Sequence, residues 1–403
     1  MAEGRGPIVL PLEGLRVVAL EHAVAAPICT RHLADLGAEV IKIERVGEGD
    51  FGRGYDTFVR GQSSFFVWLN RGKRSLTLDV KHPRGREVLG RLVAGADVLV
   101  QNLAPGATAR LGLMWEKLAA ANPGLVLCDI SGYGDSGPYA RKKAYDLLIQ
   151  AESGLISVTG TPEEPSRVGI SIADIATGMY AQAGVLAALL RRARAKGGQP
   201  MGAHIKVAML DAVSEWMTAQ VLRYAYDGTL TPRVATSHPL LAPYGAHRTK
   251  DGQVIFGLQN DREWAVFCTE VMGQPDLIAD PRYATNTARG QHKPALTALI
   301  EARFADMTSV EVTALLDRAG IANGRLNGPA EVWEHPQFAA RDRWREVLTQ
   351  GGPIRALLPP VTFEDVEAAM GPVPALGADT DAVLGELGYA CADIAALRAA
   401  GAV

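Results

Sequence analysis

The chain has little cysteine, no excess of one charge and no long uninterrupted apolar stretch. Its four cysteines, Cys29, Cys128, Cys268 and Cys391, stand far apart and show neither CxxC nor Cys/His ligand spacing. That argues against a disulfide framework or a structural zinc and suits a reducing cytoplasm. Lys and Arg number 41 against 44 Asp and Glu, a net charge of -3, which offers no electrostatic footprint for nucleic acid. The tightest basic cluster, Arg191, Arg192, Arg194 and Lys196, ends an apolar helical run and complements the C-terminus of that helix. No stretch reaches the roughly 18 uninterrupted apolar residues of a membrane span, the longest pattern being broken by Gly178, Gln182 and Gly184. The opening MAEGRGPIVLPLEG lacks the basic leader and apolar core of a secretory signal. GxSxG, HExxH and GxxxxGK[ST] are all missing, which leaves serine-hydrolase, metal and ATP chemistry without support. The expectation is a soluble cytoplasmic protein that needs neither metal nor nucleotide cofactor.

What is there is an alternation. Arg16–Leu20 reads as a buried strand, 28–36 as a helix and Glu39–Glu44 as a second strand. The pattern recurs with a strand over 75–80, a helix opened by proline over Pro83–Ala94, a strand over 97–101, a helix over Trp115–Ala121 and a strand over 125–130. Strands alternating with helices of about ten residues imply βαβ units and a mainly parallel, Rossmann-like sheet. A long helix follows over 172–192, then a second over 209–224 whose apolar residues run round much of its circumference, as in a buried helix. The proline-rich stretch 228–243 reads as a linker. Beyond it come a strand over 254–258, helices over 263–271, 293–304 and 310–319, a strand region over 357–363 and a last helix over 392–399. The division is a large domain over 1–227, a small one over 228–329 and a C-terminal segment over 330–403.

Four features carry chemistry. Gly132-Tyr133-Gly134-Asp135-Ser136-Gly137 matches GxGxxG, but it follows a late strand and no apolar helix opens after it, so a flexible loop is the better reading. Asp174 sits at the start of the long helix, where an aspartate is a good cap. The same position would keep the carboxylate ionised while apolar neighbours exclude water, which suits a covalent nucleophile. His22 follows the first strand, at the carboxyl edge where open α/β folds bind ligands. Arg45, Lys81, Arg110 and Lys143, near strand ends and loops, suit a multiply phosphorylated ligand as a group and solvated surface charges singly.

Read in order, the segments Leu12–Val18, Leu33–Ala38, Lys42–Arg45, Asn70–Ser75, Leu78–Lys81, Gln101–Gly106, Ser131–Gly134, Gly169–Tyr180 and Pro372–Gly377 resemble family III CoA-transferases, the CaiB/BaiF type. The resemblance covers nearly the whole chain and is closest in appearance to the dicarboxylate, succinyl-CoA-using members. It implies an α/β fold with a Rossmann-like large domain and a smaller α/β domain, a ring-shaped subunit and an interlocked homodimer whose last segment returns to the large domain. It implies CoA as substrate, with Asp174 as the nucleophile that carries CoA between carboxylic acids through an aspartyl-CoA thioester. CoA-binding positions fall on His22, Val24 and Ala25 near the thioester, and on Arg45, Leu78, Lys81, Asn102, Leu103, Arg110, Leu111, Lys143 and Tyr145 for the nucleotide. Arg53, Arg71, His238 and Gln259 are candidates for a substrate carboxylate, and backbone amides around Gly257–Asn260 and Ala25-Ala26 for the oxyanions. The expected acids are C4–C5 dicarboxylates such as succinate, malate, citramalate, itaconate or mesaconate, exchanged between molecules or within one.

Two departures narrow the chemistry. Formyl-CoA-type members have glutamine where Val24 stands and a glycine run near Gly257–Asn260, which argues against formyl-CoA and oxalate here. Related 2-methylacyl-CoA racemases carry histidine where Tyr145 stands, so the second base for α-proton abstraction is missing. A non-catalytic CoA-binding protein is the rival outside enzymology.

Overall fold

Short runs of aliphatic and β-branched residues become the strands of one parallel sheet. The computed structural model describes residues 9–195 and 201–403; Lys196 and the first eight residues, on which part of the basic-cluster and leader readings fall, lie outside them. In chain order the first elements are β1 (Arg16–Leu20), α1 (Ala25–Asp35), β2 (Glu39–Glu44), α2 (Ser64–Asn70), β3 (Lys73–Thr77) and α3 (Pro83–Ala94). There follow β4 (Val98–Gln101), α4 (Ala107–Arg110), α5 (Trp115–Ala121), β5 (Val126–Ser131), α6 (Asp146–Glu152) and α7 (Leu155–Val158). The long α8 (Ile172–Ala193) leads to β6 (Ala203–Ala208), α9 (Met209–Trp216) and α10 (Thr218–Asp227).

The sheet order is β3-β2-β1-β4-β5-β6, all parallel. Strand order reverses between β1 and β4, so a crevice opens beyond their carboxyl ends. One face packs on α3 and the C-terminal helices through Val18, Ile41, Leu76, Leu99 and Leu127, the other on α1 and α8 through Val17, Val40, Val100 and Val126. Alternate residues of each strand thus serve opposite cores, as period two requires. Helix α8 is long and apolar enough by composition to cross a membrane, but Ala181, Val185, Ala188 and Leu189 are buried in this second core.

The chain divides into two compact units. One comprises the chain up to Leu155, Val168–Ala219 and Arg341–Val403; the other comprises Ile156–Arg167 and Gln220–Ala340. The boundaries drawn at 227/228 and 329/330 therefore shift to 219/220 and 340/341, and residues 156–167 join the second unit. The second unit holds an antiparallel sheet of β7 (Tyr244–Arg248), β8 (Gln253–Gly257) and β9 (Asn323–Arg325). Helices cover it around Phe256, Trp264, Phe267, Ile300, Phe304 and Leu316.

Three expectations fail locally. The helix expected over 209–224 is two helices, and none of the residues of α10 is buried, with Tyr226 88% exposed. Its apolar residues therefore reflect an uncovered surface. The strand expected over 357–363 ends at Leu357, the second arm of the hairpin β10 (Trp344–Thr349) and β11 (Gly352–Leu357). The edge strand β6 escaped notice because AHIKVA carries a half-exposed histidine and an exposed lysine.

Candidate active site

The two glycine-bearing contacts around α8 decide where Asp174 lies. A Cβ on Gly178 would come within 2.1 Å of Ile28 Cγ2 and 2.4 Å of Ala25 O, so only glycine lets α8 approach the start of α1 this closely. One turn earlier, Asp174 and Ile175 sit beside the β1–α1 turn, and Ile175 packs with Ala23, Val24, Ile28, Phe65 and Leu69. Val24 and Ala25, chosen from the sequence, are thereby brought against the first turns of the helix that carries Asp174, with His22 preceding them in the same turn.

Asp174 is not the cap of its helix. The Ala173 amide is taken at 2.8 Å by Asp146 Oδ1, from the first turn of α6. Gln150, fully buried, braces this arrangement by donating to Asp146 Oδ2 at 2.7 Å and accepting from the Val168 amide at 2.9 Å. Asp174 is left half-buried without such a partner. Burial, and then the Asp146 charge, push its carboxyl up to about 7. The expectation that the helix terminus keeps Asp174 ionised is therefore corrected, because Asp146 already occupies the anion position there. Tyr55, not singled out in the sequence, belongs to the same place. Its hydroxyl is raised by burial and by the charges on Asp50, Asp174 and Tyr145.

Below the β1–α1 turn lies a closed ionic cluster. Lys42 Nζ donates to Asp50 Oδ2 at 2.8 Å and Glu21 Oε1 at 3.3 Å, and Lys73 Nζ to Glu21 Oε1 at 2.6 Å. Arg53 forks onto both oxygens of Glu44 at 2.7 Å, and Ser75 Oγ donates to Glu44 Oε1. Three acids meet three bases, so the cluster is neutral as a whole. Burial alone would raise the three carboxyls, but Lys73 and Lys42 around Glu21, Lys42 at Asp50 and Arg53 at Glu44 outweigh it and hold each below its ordinary value. Lys73 is brought down to about 8 by burial and by Lys42, with Glu21 opposing.

The predicted nucleotide positions line the carboxyl edge of the same sheet. Arg45 follows β2, Leu78 and Lys81 follow β3, Asn102 and Leu103 follow β4, and Lys143 lies in the loop after β5. Arg45, Lys81, Arg110 and Lys143 are exposed there. Arg45 pairs only loosely with Glu48, at 3.7 Å. The Leu78 side chain is in the core, as Leu111 partly is, so each offers the edge little beyond its backbone. Asn102 spends its amide on His22, donating to His22 O at 2.9 Å and accepting from the His22 amide at 3.1 Å. Tyr145 stands 67% exposed at the start of α6.

The substrate-carboxylate candidates separate differently. Arg53 is committed to Glu44 and stacks 3.7 Å from the Phe66 ring centroid. Arg71 forks onto Asp35 at 2.9 Å and donates to Leu357 O, almost wholly buried. Arg71 spends Nε, Nη1 and Nη2 inside the fold and its reading is corrected; Arg53 spends Nε and Nη2 on Glu44 and the Pro374 carbonyl, which ties most of it to the fold as well. His238 and Gln259 belong to the second unit. There His238 Nδ1 accepts the Leu240 and Leu241 amides, and the Gln259 amide is taken by Glu263 at 2.7 Å. The amides of Gly257 and Leu258 are also engaged, with Ala322 O and Pro243 O, which removes three of the suggested oxyanion donors.

Burial pushes the Cys128 and Cys268 thiols up to about 12, far from a reactive thiolate. Among the described residues no group of three or more His, Cys, Asp or Glu is arranged to hold a metal ion. The GxGxxG segment follows β5 and is a turn: a Cβ on Gly132 would come within 2.1 Å of Ala144 Cβ, Gly134 and Gly137 have positive φ, and the next helix opens only at Asp146. Asp50, Tyr55 and Asp146 are what sequence reasoning missed. The only signals were the glycine-flanked Gly49-Asp50 and the acid beside Tyr145.

Comparison with known proteins gives a consistent result. The family model described as CoA-transferase family III matches residues 12–380. The chain is 36% identical to a succinyl-CoA:glutarate CoA-transferase of Mus musculus, over 81% of this chain and 74% of that one. It is 35% identical to an acetyl-CoA:oxalate CoA-transferase of Acetobacter aceti, over 86% and 89%. A crystal structure of a CAIB/BAIF family protein from Brucella suis superposes with a TM-score of 0.83 at 37% identity, covering 94% of this chain and all of the other.

Proposed function

The chain belongs to CoA-transferase family III, and from that premise we propose that it moves CoA between dicarboxylic acids by way of an acyl group carried on Asp174. The observation that carries the reading is a single carboxylate, desolvated and unpaired, at the end of α8 beside the β1–α1 turn. A desolvated carboxylate is a better nucleophile than a hydrated one, and a value of about 7 leaves a large ionised fraction at neutral pH.

The steps balance without metal or ATP. Asp174 attacks the donor thioester, the C–S bond breaks, and a mixed anhydride and CoA thiolate result. The thiolate attacks the aspartyl carbonyl, the anhydride C–O bond breaks, and the donor acid leaves an aspartyl-CoA thioester. The acceptor carboxylate then attacks that thioester and the sequence runs in reverse. The unengaged amides of Ala25 and Ala26, at the start of α1, are suited to stabilise the oxyanions. Arg45, Lys81, Arg110 and Lys143 suit the CoA phosphates.

The names of the relatives support a dicarboxylate: glutarate in one, oxalate in another. Oxalate, set aside on Val24, therefore returns to the panel of acceptors beside glutarate, succinate and citramalate. The ring-shaped subunit, interlocked homodimer and cytoplasmic location implied by the resemblance are part of the same proposal. The uncovered apolar face of α10 and the four free cysteines support them, and light scattering of the purified chain tests the dimer.

The test of function is covalent. Incubation with succinyl-CoA and hydroxylamine should convert Asp174 to a hydroxamate, located by peptide mass spectrometry. Asp174→Ala should lose both the label and exchange while still binding CoA. Exchange at the normal rate in that variant would refute the reading.

A further inference from the structure

The turn that faces Asp174 is held in an unusual backbone state. Ala23 has φ +62°, the left-handed region that alanine seldom occupies. Such a conformation persists only where its surroundings over-determine it. Asp50 is the group that reaches it: Oδ1 accepts from the Ala23 amide at 3.2 Å and from the Gly52 amide at 2.9 Å. Asp50 is itself fixed, with Lys42 Nζ at 2.8 Å on Oδ2 and its own amide donating to Glu44 Oε2 at 3.0 Å. It is buried, and the next residue, Phe51, packs 5.0 Å from the His22 ring. The turn leads directly into α1, whose first intrahelical donor is Ile28, to Val24 O at 2.9 Å. Pro27 has no amide, so the unspent donors of that terminus are those of Val24, Ala25 and Ala26.

We propose that Asp50 is a positioning residue for acyl transfer: it locks Ala23 in the left-handed turn and so fixes the amides of Ala25 and Ala26 beside the carbonyl that reacts with Asp174. The inference rests on the Asp174 reading. Asp50 touches no substrate; it sets the aim of backbone groups that do. The lysine partner keeps it ionised, and an ionised carboxylate is the stronger acceptor for the amide of a strained turn.

The test is kinetic, with exchange measured between succinyl-CoA and glutarate. Asp50→Ala should lower kcat by about 100-fold, the effect of removing an oxyanion donor, while KM for succinyl-CoA stays within about threefold. The double variant Asp50→Asn with Lys42→Met keeps an acceptor for Ala23 and a neutral cluster, and it should recover most of kcat. An unchanged kcat in Asp50→Ala, or a double variant no faster than the single one, overturns the proposal. Should Asp50→Ala fail to fold, amide exchange of the wild type decides: the Ala23 amide should exchange as slowly as the core of β1, and rapid exchange refutes the lock. If Asp174→Ala keeps its activity, the nucleophile and the lock fall together. If Asp174→Ala is dead and Asp50→Ala fully active, the lock alone falls.

Discussion

Two sets of carboxylates in the first unit, three buried and one half-buried, behave in opposite ways. Glu21, Glu44 and Asp50 each meet a lysine or arginine and are held below their ordinary values. Asp174, on α8, meets only another carboxylate and rises to about 7. Burial acts on all four, so pairing decides the outcome. A paired carboxylate becomes part of the scaffold; an unpaired one stays available for chemistry.

The comparison is broken most sharply at Asp174. Replacing it with Asn should reduce exchange by at least ~1,000-fold while stabilising the fold at alkaline pH. The carboxyl's folded value, about 7, exceeds its ordinary 3.8, so the native state binds a proton that the unfolded state releases. Stability is therefore lost as pH rises from about 4 to 7 and stays lost above. The Asn variant should gain up to about 4 kcal/mol at pH 8 and nothing near pH 4, read from urea denaturation at the two values.

The next largest effect comes from the other side. Lys42→Met leaves Glu21 and Asp50 short of a partner and should cost about 3–5 kcal/mol at pH 7. A loss under about 1 kcal/mol in urea denaturation would mean that pairing matters little here. The sign with pH is reversed for this cluster. Its depressed carboxyls stabilise the fold above about pH 4, and that stability disappears as pH falls below it. Gly178→Ala should cost about 1–3 kcal/mol, because its methyl has no room against Ile28 and the Ala25 carbonyl. It should also slow exchange by pushing Asp174 from the β1–α1 turn; unaltered stability would contradict the close packing. The smallest effect belongs to Asp146→Asn. It keeps an acceptor for the Ala173 amide but removes the like charge, so the pH midpoint of kcat/KM should drop by under about one unit.

Much of the scaffold was legible. β1, β2 and α3 fall where aliphatic runs, an opening proline and period placed them, because these segments bury one face or both and carry ordinary signals. The family was legible too, through the order of its short motifs along the chain. What stayed hidden depends on residues far apart in sequence. Arg71 meets Asp35 and Arg53 meets Glu44, and no local pattern tells a committed arginine from a free one. Asp146 looked like one more polar residue, although its contact with the Ala173 amide is what leaves Asp174 unpaired. The surface of α10 misled for the opposite reason, since apolar periodicity reports a face that wants covering, whatever covers it.

The pH dependence of acyl labelling at Asp174 tests the central claim most directly. In a single turnover with succinyl-CoA, the labelling rate should climb with pH and level off with a midpoint near 7. A rate that is flat from pH 5 to 8 would show an ordinary, well-solvated carboxylate and contradict the account.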